Sequence, residues 1–347
     1  MNIREEIEKR EDQCLAPYAV RSKSSRGREL PENMDPVRTC FMVDRDRIIH
    51  SKSFRRLKHK TQVFIAPGGD HYRTRLTHTL EVNQIARTIG AGLNLNQDLI
   101  EAIALAHDVG HTPFAHAGER VLDRLLKEGF KHDENSVRVL TKIERHHTEA
   151  GLNLSWEVLD GVLRHSGYGK EVPEAASLEG QVVKISDKIA YVQHDIDDSI
   201  RAGILKPNEL PRGSLKILGE SHSQRIATLV ISTIEHTAGQ IKNNDCLRVA
   251  PHPEINTALK ELRQFMFEKV YNGDICRTER EKAMFIINNL YNYYCLTPDQ
   301  MTLPYQQIAE QEGVERAVAD YISGMSDAYC MHLFKKIFLP QVFMLDD

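Results

Sequence analysis

The string AHDVGHTPFAHAGER, residues 106–120, combines chemically active side chains with the signals of a helix end and a helix start. His107 and Asp108 follow an apolar stretch with helical spacing, so they lie near the end of one predicted helix. Thr112 is a good N-cap and Pro113 a good first helical residue. The string therefore predicts a helix, a turn shaped by glycine and proline, and a second helix that begins at these two residues.

Two further polar residues, distant in sequence, are predicted to face inward with this pair. His78 and His107 each lie four residues from an apolar member of a helix face, and Asp187 lies beside a third such face. A buried carboxylate is costly unless it is paired or bound to a metal. Imidazole nitrogens and carboxylate oxygens together suit a divalent ion that keeps positions open for water or substrate. The pattern favours a metal site over separate core histidines and a surface aspartate.

The second predicted helix of this string carries another candidate pair. His116 and Glu119 are three residues apart, so their side chains can meet on one helical face. A carboxylate beside an imidazole fixes its tautomer and makes it a better base, as proton transfer near neutral pH requires. Surface His–Glu pairs are common, but a position nine residues after His107, in a turn shaped by Gly and Pro, favours catalysis.

Almost every segment of the 347-residue chain has a helical pattern, which predicts an all-α fold. Residues 21–36, rich in Ser, Pro and basic side chains, predict a mobile basic loop. Residues 61–65 have strand character and are expected to pair with residues 71–74, giving a small β-ribbon near residues 59–74. Three regions are predicted: an N-terminal segment at 1–43, a core at 44–200, and a C-terminal helical region at 201–347 packed on the core.

Composition sets limits on the class of protein. A hydrophobic fraction of 41%, a charged fraction of 27% and a net charge of −4 are ordinary for a globular chain. The six cysteines show no CxxC spacing and predict free thiols in a reducing compartment. No apolar run reaches the roughly 18 residues of a membrane span, and the N-terminus is too charged for a signal peptide. We therefore expect a cytoplasmic protein with no membrane partner.

Five strings, in this order along the chain, make it resemble a known enzyme family. They are RLTHTLEV (75–82), AHDVGHTPFAHAGER (106–120), KHDENS (131–136), GLNLSWEVLDGVLRHSG (151–167) and SLEGQVVKISDKIAYVQHDIDD (177–198). They are similar to the dGTPase-like deoxynucleoside triphosphate triphosphohydrolases, a branch of the HD-domain metal-dependent phosphohydrolases. The similarity spans about residues 44–198, nearly half of the chain. It implies the helical HD-domain fold and a reaction that releases a deoxynucleoside and inorganic triphosphate.

The resemblance also implies roles for individual residues. The metal ligands would be His78, His107, Asp108 and Asp187, and the catalytic group would be His116 with Glu119, together with His111 near the phosphates and a further active-site histidine, His132. The substrate contacts would be Gln62 and Arg75 at sugar and phosphate, Lys188 at phosphate, Tyr191 against the deoxyribose, and Asp195 as acceptor from the 3′-hydroxyl. On an ideal helix Asp187, Tyr191 and Asp195 fall within an arc of roughly 80°, so one nucleotide can touch all three.

Cofactor and partners follow from the same comparison, and two other functions stay open. The implied cofactor is a divalent metal, Mg²⁺ or Mn²⁺ first and another transition metal second. The implied partners are a deoxynucleoside triphosphate, a regulatory nucleotide, and further copies of the chain in a tetramer or hexamer. One alternative is another HD-domain phosphohydrolase, either a nucleoside monophosphate phosphatase or a nucleotide phosphodiesterase. The other is a non-catalytic nucleotide- or nucleic-acid-binding module, whose only support is a basic N-terminus of 15 Lys and Arg against 10 Asp and Glu in the first 60 residues.

Overall fold

Helices make up nearly all of the regular structure, in a computed structural model that describes residues 2–64, 72–146, 149–167, 173–243 and 248–340. The helices are α1 (Ile3–Cys14), α2 (Cys40–His50), α3 (Lys52–Arg56), α4 (Arg75–Gly92), α5 (Gln97–Ala106), α6 (His116–Leu125), α7 (His132–Arg138), α8 (Trp156–Leu163), α9 (Leu178–Arg201), α10 (Arg212–Leu218), α11 (His222–Lys242), α12 (Pro253–Met266), α13 (Asp274–Leu296), α14 (Leu303–Glu312), α15 (Val314–Ser323) and α16 (Asp327–Phe338). The predicted all-α class is confirmed. Within the described ranges, no helix is both long and apolar enough to cross a membrane.

Short irregular elements complete the secondary structure. Single 3₁₀ turns occur at Ser22–Ser24, Leu57–His59, Pro207–Glu209 and Pro298–Gln300, and π-helical turns at Val139–Ile143 and Phe267–Tyr271. Strands β1 (Arg145–His146) and β2 (Glu149–Ala150) form an antiparallel pair. The ribbon predicted near residues 59–74 is reduced to one antiparallel bridge between Thr61 and Thr74, and residues 65–71 lie outside the described ranges. Thr74 caps the N-terminus of α4, so the chain leaves the bridge directly into a helix.

The first hydrophobic core is built around helices α4, α5 and α9. α4 buries Val82 and Ile89, α5 buries Ile103, and α9 buries Val182 and Ile189 in one contiguous cluster. These apolar positions recur with helical spacing on each element, so each helix presents one face to the other two. Because His78 and His107 continue two of these faces, packing carries both imidazoles to the same end of the helix group.

The second hydrophobic core belongs to the C-terminal region and to α6. Val121 and Leu122 of α6 pack with Ile287 of α13 and with Val318 and Ile322 of α15. The short α6 therefore leaves the first core and docks against helices that lie some 160–200 positions later in the chain. The residues at the start of α6 consequently sit between the two cores.

The start of α6 differs from the prediction. The helix begins at His116 rather than at Thr112 and Pro113, because Phe114 and Ala115 adopt left-handed backbone conformations with φ of 59° and 53°. The Thr112 hydroxyl donates to the carbonyl oxygen of Ala115 instead of capping a helix at residue 112. A Cβ on Gly118 would lie 2.4 Å from the carbonyl oxygen of Pro113, so the loop folds tightly over the first turn of α6.

The N-terminal segment 21–36 has little regular structure, as predicted, but it makes specific contacts with the core. Arg28 pairs with the buried carboxylate of Asp44 and forms a backbone bridge with Ser155. Ser25 and the backbone N–H of Arg26 both donate to Glu157, each at 2.7 Å. The mobility of this loop stays a prediction, as do the three region boundaries.

Candidate active site

Helices α4, α5 and α9 bring the four predicted metal ligands together. Nε2 of His78 lies 3.2 Å from Oδ1 of Asp187 and 3.8 Å from Oδ2 of Asp108. Nε2 of His107 lies 3.5 Å from the same Asp108 oxygen. Nδ1 of His107 is 2.7 Å from the carbonyl oxygen of Ala104, so Nε2 is the nitrogen that faces the cluster. Residues from α4, the end of α5 and α9 thus converge on one point.

This cluster suits a divalent cation. Nε2 of His107 is buried and has no hydrogen-bond partner among the described residues, which leaves its lone pair available to a metal. Two imidazole nitrogens with two carboxylate oxygens form a mixed donor set that first-row divalent ions accept. Four protein ligands leave coordination positions for water or substrate on an octahedral ion. The residues therefore fit the predicted metal.

Neighbouring charges keep both carboxylates ionised, as metal binding requires. Burial alone would raise the pKa of Asp108, but the Arg75 guanidinium, which donates to its Oδ2, and His107 hold that pKa well below its usual range. Burial likewise opposes ionisation of Asp187, and the hydrogen bond and charge of His78 outweigh it, so the pKa of Asp187 is lowered.

A second polar cluster lies beside the first, at the starts of α6 and α7. The potential ligand atoms of His111, His116, Glu119 and His132 all lie within 4.8 Å of one another. One Glu119 oxygen is 2.9 Å from Nδ1 of His116, and the other is 2.8 Å from Nδ1 of His132. The backbone N–H of His132 also donates to Glu119 at 2.9 Å. Glu119 therefore orients two imidazoles, where the sequence predicted one.

Charge coupling between Glu119 and the histidines sets the protonation of this cluster. Burial opposes the charge on Glu119 and on His132, but their mutual attraction prevails: the pKa of Glu119 falls well below its usual range and that of His132 rises to about 9. Burial and the nearby Arg75 hold the pKa of His111 well below its usual range, so that ring is neutral.

Two stacked aromatic rings and one carboxylate line the same cavity as the predicted metal ligands. The rings of Tyr191 and Tyr271 stack with centroids 5.8 Å apart and planes 19° from parallel. The Tyr271 hydroxyl donates to Oδ2 of Asp195, and burial raises the pKa of Asp195 to about 7. Tyr191 and Asp195 were predicted from the resemblance, whereas Tyr271 lies in a π-helical turn that no sequence pattern indicated.

Other predicted substrate residues have distinct positions. Oε1 of Gln62 and Nε of Arg75 are buried without hydrogen-bond partners in the described part of the chain, and both side chains line the cavity described below. Lys188 instead lines a smaller neighbouring pocket together with Lys184 and Arg248. Burial and the charge of Lys184 lower the pKa of Lys188 to about 8. The structure thus does not bring the Lys188 ammonium into the cavity.

Two histidines that the sequence reasoning missed support the clusters. Nε2 of His194 lies 2.7 Å from Nδ1 of His78, and this contact turns the other nitrogen of His78 toward the metal position. The ring of His165 lies between the clusters, 5.0 Å from His107 and 5.3 Å from His132. Burial lowers the pKa of His165 to about 4 and that of His194 to about 3, so both rings are neutral. Both lie within the family-like strings, which was the available signal.

One cavity of ≈ 630 Å³ unites these groups. All the predicted site residues except His107 and Lys188 line it, and His165, Tyr271 and Arg263 join them. Its volume falls in the range of roughly 300–1,000 Å³ that is usual for small-molecule sites. The cavity is therefore bordered by the predicted metal ligands, the Glu119-centred histidines and the stacked rings of Tyr191 and Tyr271, and its volume suits a nucleotide.

Comparisons with known proteins agree with this site. A family model described as "HD domain" matches residues 75–192, which include the four predicted metal ligands. A "Deoxyguanosinetriphosphate triphosphohydrolase-like protein" of Clostridium tetani (strain Massachusetts / E88) is 56% identical and covers 99% of this chain and 98% of that protein. The chain belongs to this triphosphohydrolase-like family of HD-domain proteins. Similar relatives occur in Clostridium perfringens (strain 13 / Type A), at 54% identity over 99% and 100% of the two chains, and in Caldanaerobacter subterraneus, at 53% over 98% and 97%.

Membership in the family confirms the predicted resemblance and an HD-domain phosphohydrolase. A second family model, described as "Phosphohydrolase-associated domain", matches residues 249–336. These residues include α12 to α15 and most of α16, in which the sequence showed no motif. The C-terminal helices that hold α6 are therefore a recurring companion of this class of hydrolase.

Proposed function

We propose that this phosphohydrolase converts deoxynucleoside triphosphates to a deoxynucleoside and inorganic triphosphate. The observation that carries the proposal is that one cavity is bordered by the predicted metal ligands, the Glu119-centred histidines and the stacked rings of Tyr191 and Tyr271. The names of the relatives point to the same substrate class. The predicted regulatory nucleotide, homo-oligomer and cytoplasmic location are part of this proposal.

The chemistry divides between the two polar clusters. His78, His107, Asp108 and Asp187 would hold a divalent ion, which when bound would supply Lewis-acid stabilisation of charge that develops at the α-phosphate. Arg75 fixes the orientation of Asp108 and, with its unpartnered Nε, offers a donor toward phosphate oxygen. These residues bind and orient the α-phosphate.

The leaving group requires a proton donor, and the Glu119-centred histidines can provide one. Release of triphosphate joins a water oxygen to the α-phosphorus and breaks the bond from that phosphorus to the sugar 5′-oxygen. The departing alkoxide is a poor leaving group unless an acid protonates it. Pyrophosphate, by contrast, leaves without that help. Glu119 holds His116 and His132 beside the metal position, and His116 is 61% exposed to the cavity or solvent, so it can reach a bound substrate. We assign the proton transfer to His116, which Glu119 orients by a hydrogen bond to Nδ1.

The stacked rings of Tyr191 and Tyr271 account for the sugar. A deoxyribose stacked against Tyr191 places its 3′-hydroxyl near Asp195, which now accepts from Tyr271. Gln62, whose Oε1 has no described partner, offers a second acceptor on the same side. A 2′-hydroxyl would crowd the Tyr191 ring, so ribonucleotides are expected to be poorer substrates.

Product analysis tests the proposal. Each of the four deoxynucleoside triphosphates, with ribo- and dideoxy- analogues, is incubated with Mg²⁺, Mn²⁺ or chelator, and the products are separated by ion-exchange chromatography. We expect triphosphate and deoxynucleoside in a metal-dependent reaction. A lost buried hydrogen bond costs about 1–3 kcal/mol, so dideoxy substrates should be roughly 5- to 150-fold less efficient. Release of orthophosphate or pyrophosphate, or equal efficiency on all three sugars, contradicts the proposal.

A further inference from the structure

Asp327, the first residue of α16, hydrogen-bonds to two separate parts of the active site. One carboxylate oxygen accepts from the backbone N–H of Phe114 at 2.9 Å, in the loop that leads to His116. The other accepts from the backbone N–H of Thr61 at 2.9 Å and from the Thr61 hydroxyl. Asp327 is only 8% exposed, so these hydrogen bonds are shielded from water. A residue of the C-terminal region thus contacts the segments that flank the cavity.

The Thr61 side of this contact leads to the metal helix. Thr61 forms a backbone bridge with Thr74, the N-cap of α4, and the backbone N–H of Arg75 donates to the carbonyl oxygen of Lys60 at 3.1 Å. Gln62, the next residue along the chain, lines the cavity. Whatever fixes Thr61 therefore also fixes the start of α4, one turn before His78.

The Phe114 side leads to the histidine cluster. Phe114 and Ala115 both have positive φ, which is costly for residues with a side chain and persists only where surrounding contacts impose it. The buried ammonium of Lys60 donates to the carbonyl oxygen of His111 and, at 2.8 Å, to that of Ser323 at the end of α15. The loop is therefore held at both ends by contacts that involve the C-terminal helices.

We propose that Asp327 is a positioning residue that sets the separation between His116 and the metal ligands of α4. The inference rests on the proposed role of His116 in proton transfer. A misplacement of about 1 Å costs on the order of 10²-fold in rate, whereas the apolar faces of α4, α5 and α9 in the first core hold the metal ligands relative to one another. Asp327 should therefore affect kcat strongly and metal affinity little.

The decisive variant is Asp327→Asn in the full-length, metal-loaded enzyme. An asparagine oxygen can still accept from Phe114, but its amide group is a donor and opposes the N–H of Thr61. We expect kcat to fall on the order of 10²-fold, with KM and Mn²⁺ affinity, measured by equilibrium dialysis, unchanged. The matched control is Cys330→Ala, which removes a buried sulfur atom from the same helix one turn further on and leaves the carboxylate of Asp327 in place; it should lower the Tm while leaving kcat intact.

Two further measurements keep the inference testable. If Asp327→Asn does not fold, Thr61→Val, which keeps the backbone N–H and the side-chain shape, should lower kcat by a smaller factor. NMR spectra of ¹³C-histidine-labelled protein should show shifted His116 and His132 resonances in the Asp327 variant and unshifted ones in Cys330→Ala. Unchanged kcat and unchanged resonances in both Asp327→Asn and Thr61→Val overturn the positioning role, as does an equal kcat loss in Cys330→Ala. Absence of triphosphate release by the wild-type enzyme instead overturns the proposed function, and the resonances still decide the role of Asp327.

Discussion

Two clusters of polar side chains lie side by side but are built in different ways. The metal cluster consists of the predicted ligands His78, His107, Asp108 and Asp187, and the histidine cluster consists of Glu119 with His111, His116 and His132. His78, His107 and Asp187 lie on α4, at the end of α5 and on α9, which share one core, and the inward placement of the two histidines follows from helical spacing. The Glu119-centred cluster comes from short helices and a loop with two positive-φ residues, held from outside by the second core. The contrast indicates that the first cluster depends on local helix packing and the second on contacts across nearly the whole chain.

The sharpest way to test this contrast is to remove a metal ligand. Asp108→Asn keeps an acceptor for the buried Arg75 but takes away the charge that a divalent ion needs. We expect both bound metal and turnover to fall to background, as measured by equilibrium dialysis with Mn²⁺ and by triphosphate release. The control Asp98→Asn changes an acid at the other end of α5, which pairs with Arg45, and should retain both. Full metal content in the Asp108 variant would remove Asp108 from the ligand set.

Variants of the histidine cluster should lose turnover but keep their metal affinity. His116→Ala is expected to lower turnover by about 10²–10⁴, the usual contribution of a proton-transfer group, while Mn²⁺ affinity stays at the wild-type value. Glu119→Gln should lower turnover at least as much, because it releases two imidazoles rather than one. The double variant should be little worse than either single variant, since residues that act as a unit are not additive.

Rates and metal content of these three variants are compared with those of Glu134→Gln. Glu134 is an exposed acid on α7 that pairs with Lys131 and lies outside the cavity lining. If His116→Ala loses metal in proportion to activity, His116 is a ligand or a structural support, and the proposed division between the clusters is wrong.

The same contrast explains which features of the fold and the site could be predicted from the sequence. Helical period predicted the all-α class and the inward faces that carry His78 and His107, because each face is a local property of one helix. The resemblance added the Tyr191 and Asp195 positions along α9. Both depend on patterns contained within single elements.

Other features could not be predicted because distant contacts determine them. Thr112 and Pro113 have ideal helix-start chemistry, yet α6 begins at His116, after a turn with two positive φ values. In that turn the backbone N–H of Phe114 donates to Asp327, and the carbonyl oxygen of His111 accepts from Lys60. Tyr271 reaches Asp195 from a π-helical turn 76 residues further on, and no motif marks it.

The smallest expected effect concerns the proton on the Glu119–His132 pair. The pKa of His132 in the folded protein is raised to about 9, against about 6.5 for a histidine in an unfolded chain. A raised pKa stabilises the folded state fully below about pH 6.5, and this contribution disappears as the pH rises through about 9. In metal-free protein, the Tm difference between wild type and Glu119→Gln should therefore be largest near pH 6 and shrink toward pH 9.5. Glu134→Gln, which changes an exposed pair, should show a small and nearly constant difference over that range. A Tm difference for Glu119→Gln that does not vary with pH would mean that His132 is neutral in the folded protein over this range, and the proposed charge coupling between Glu119 and His132 would be wrong.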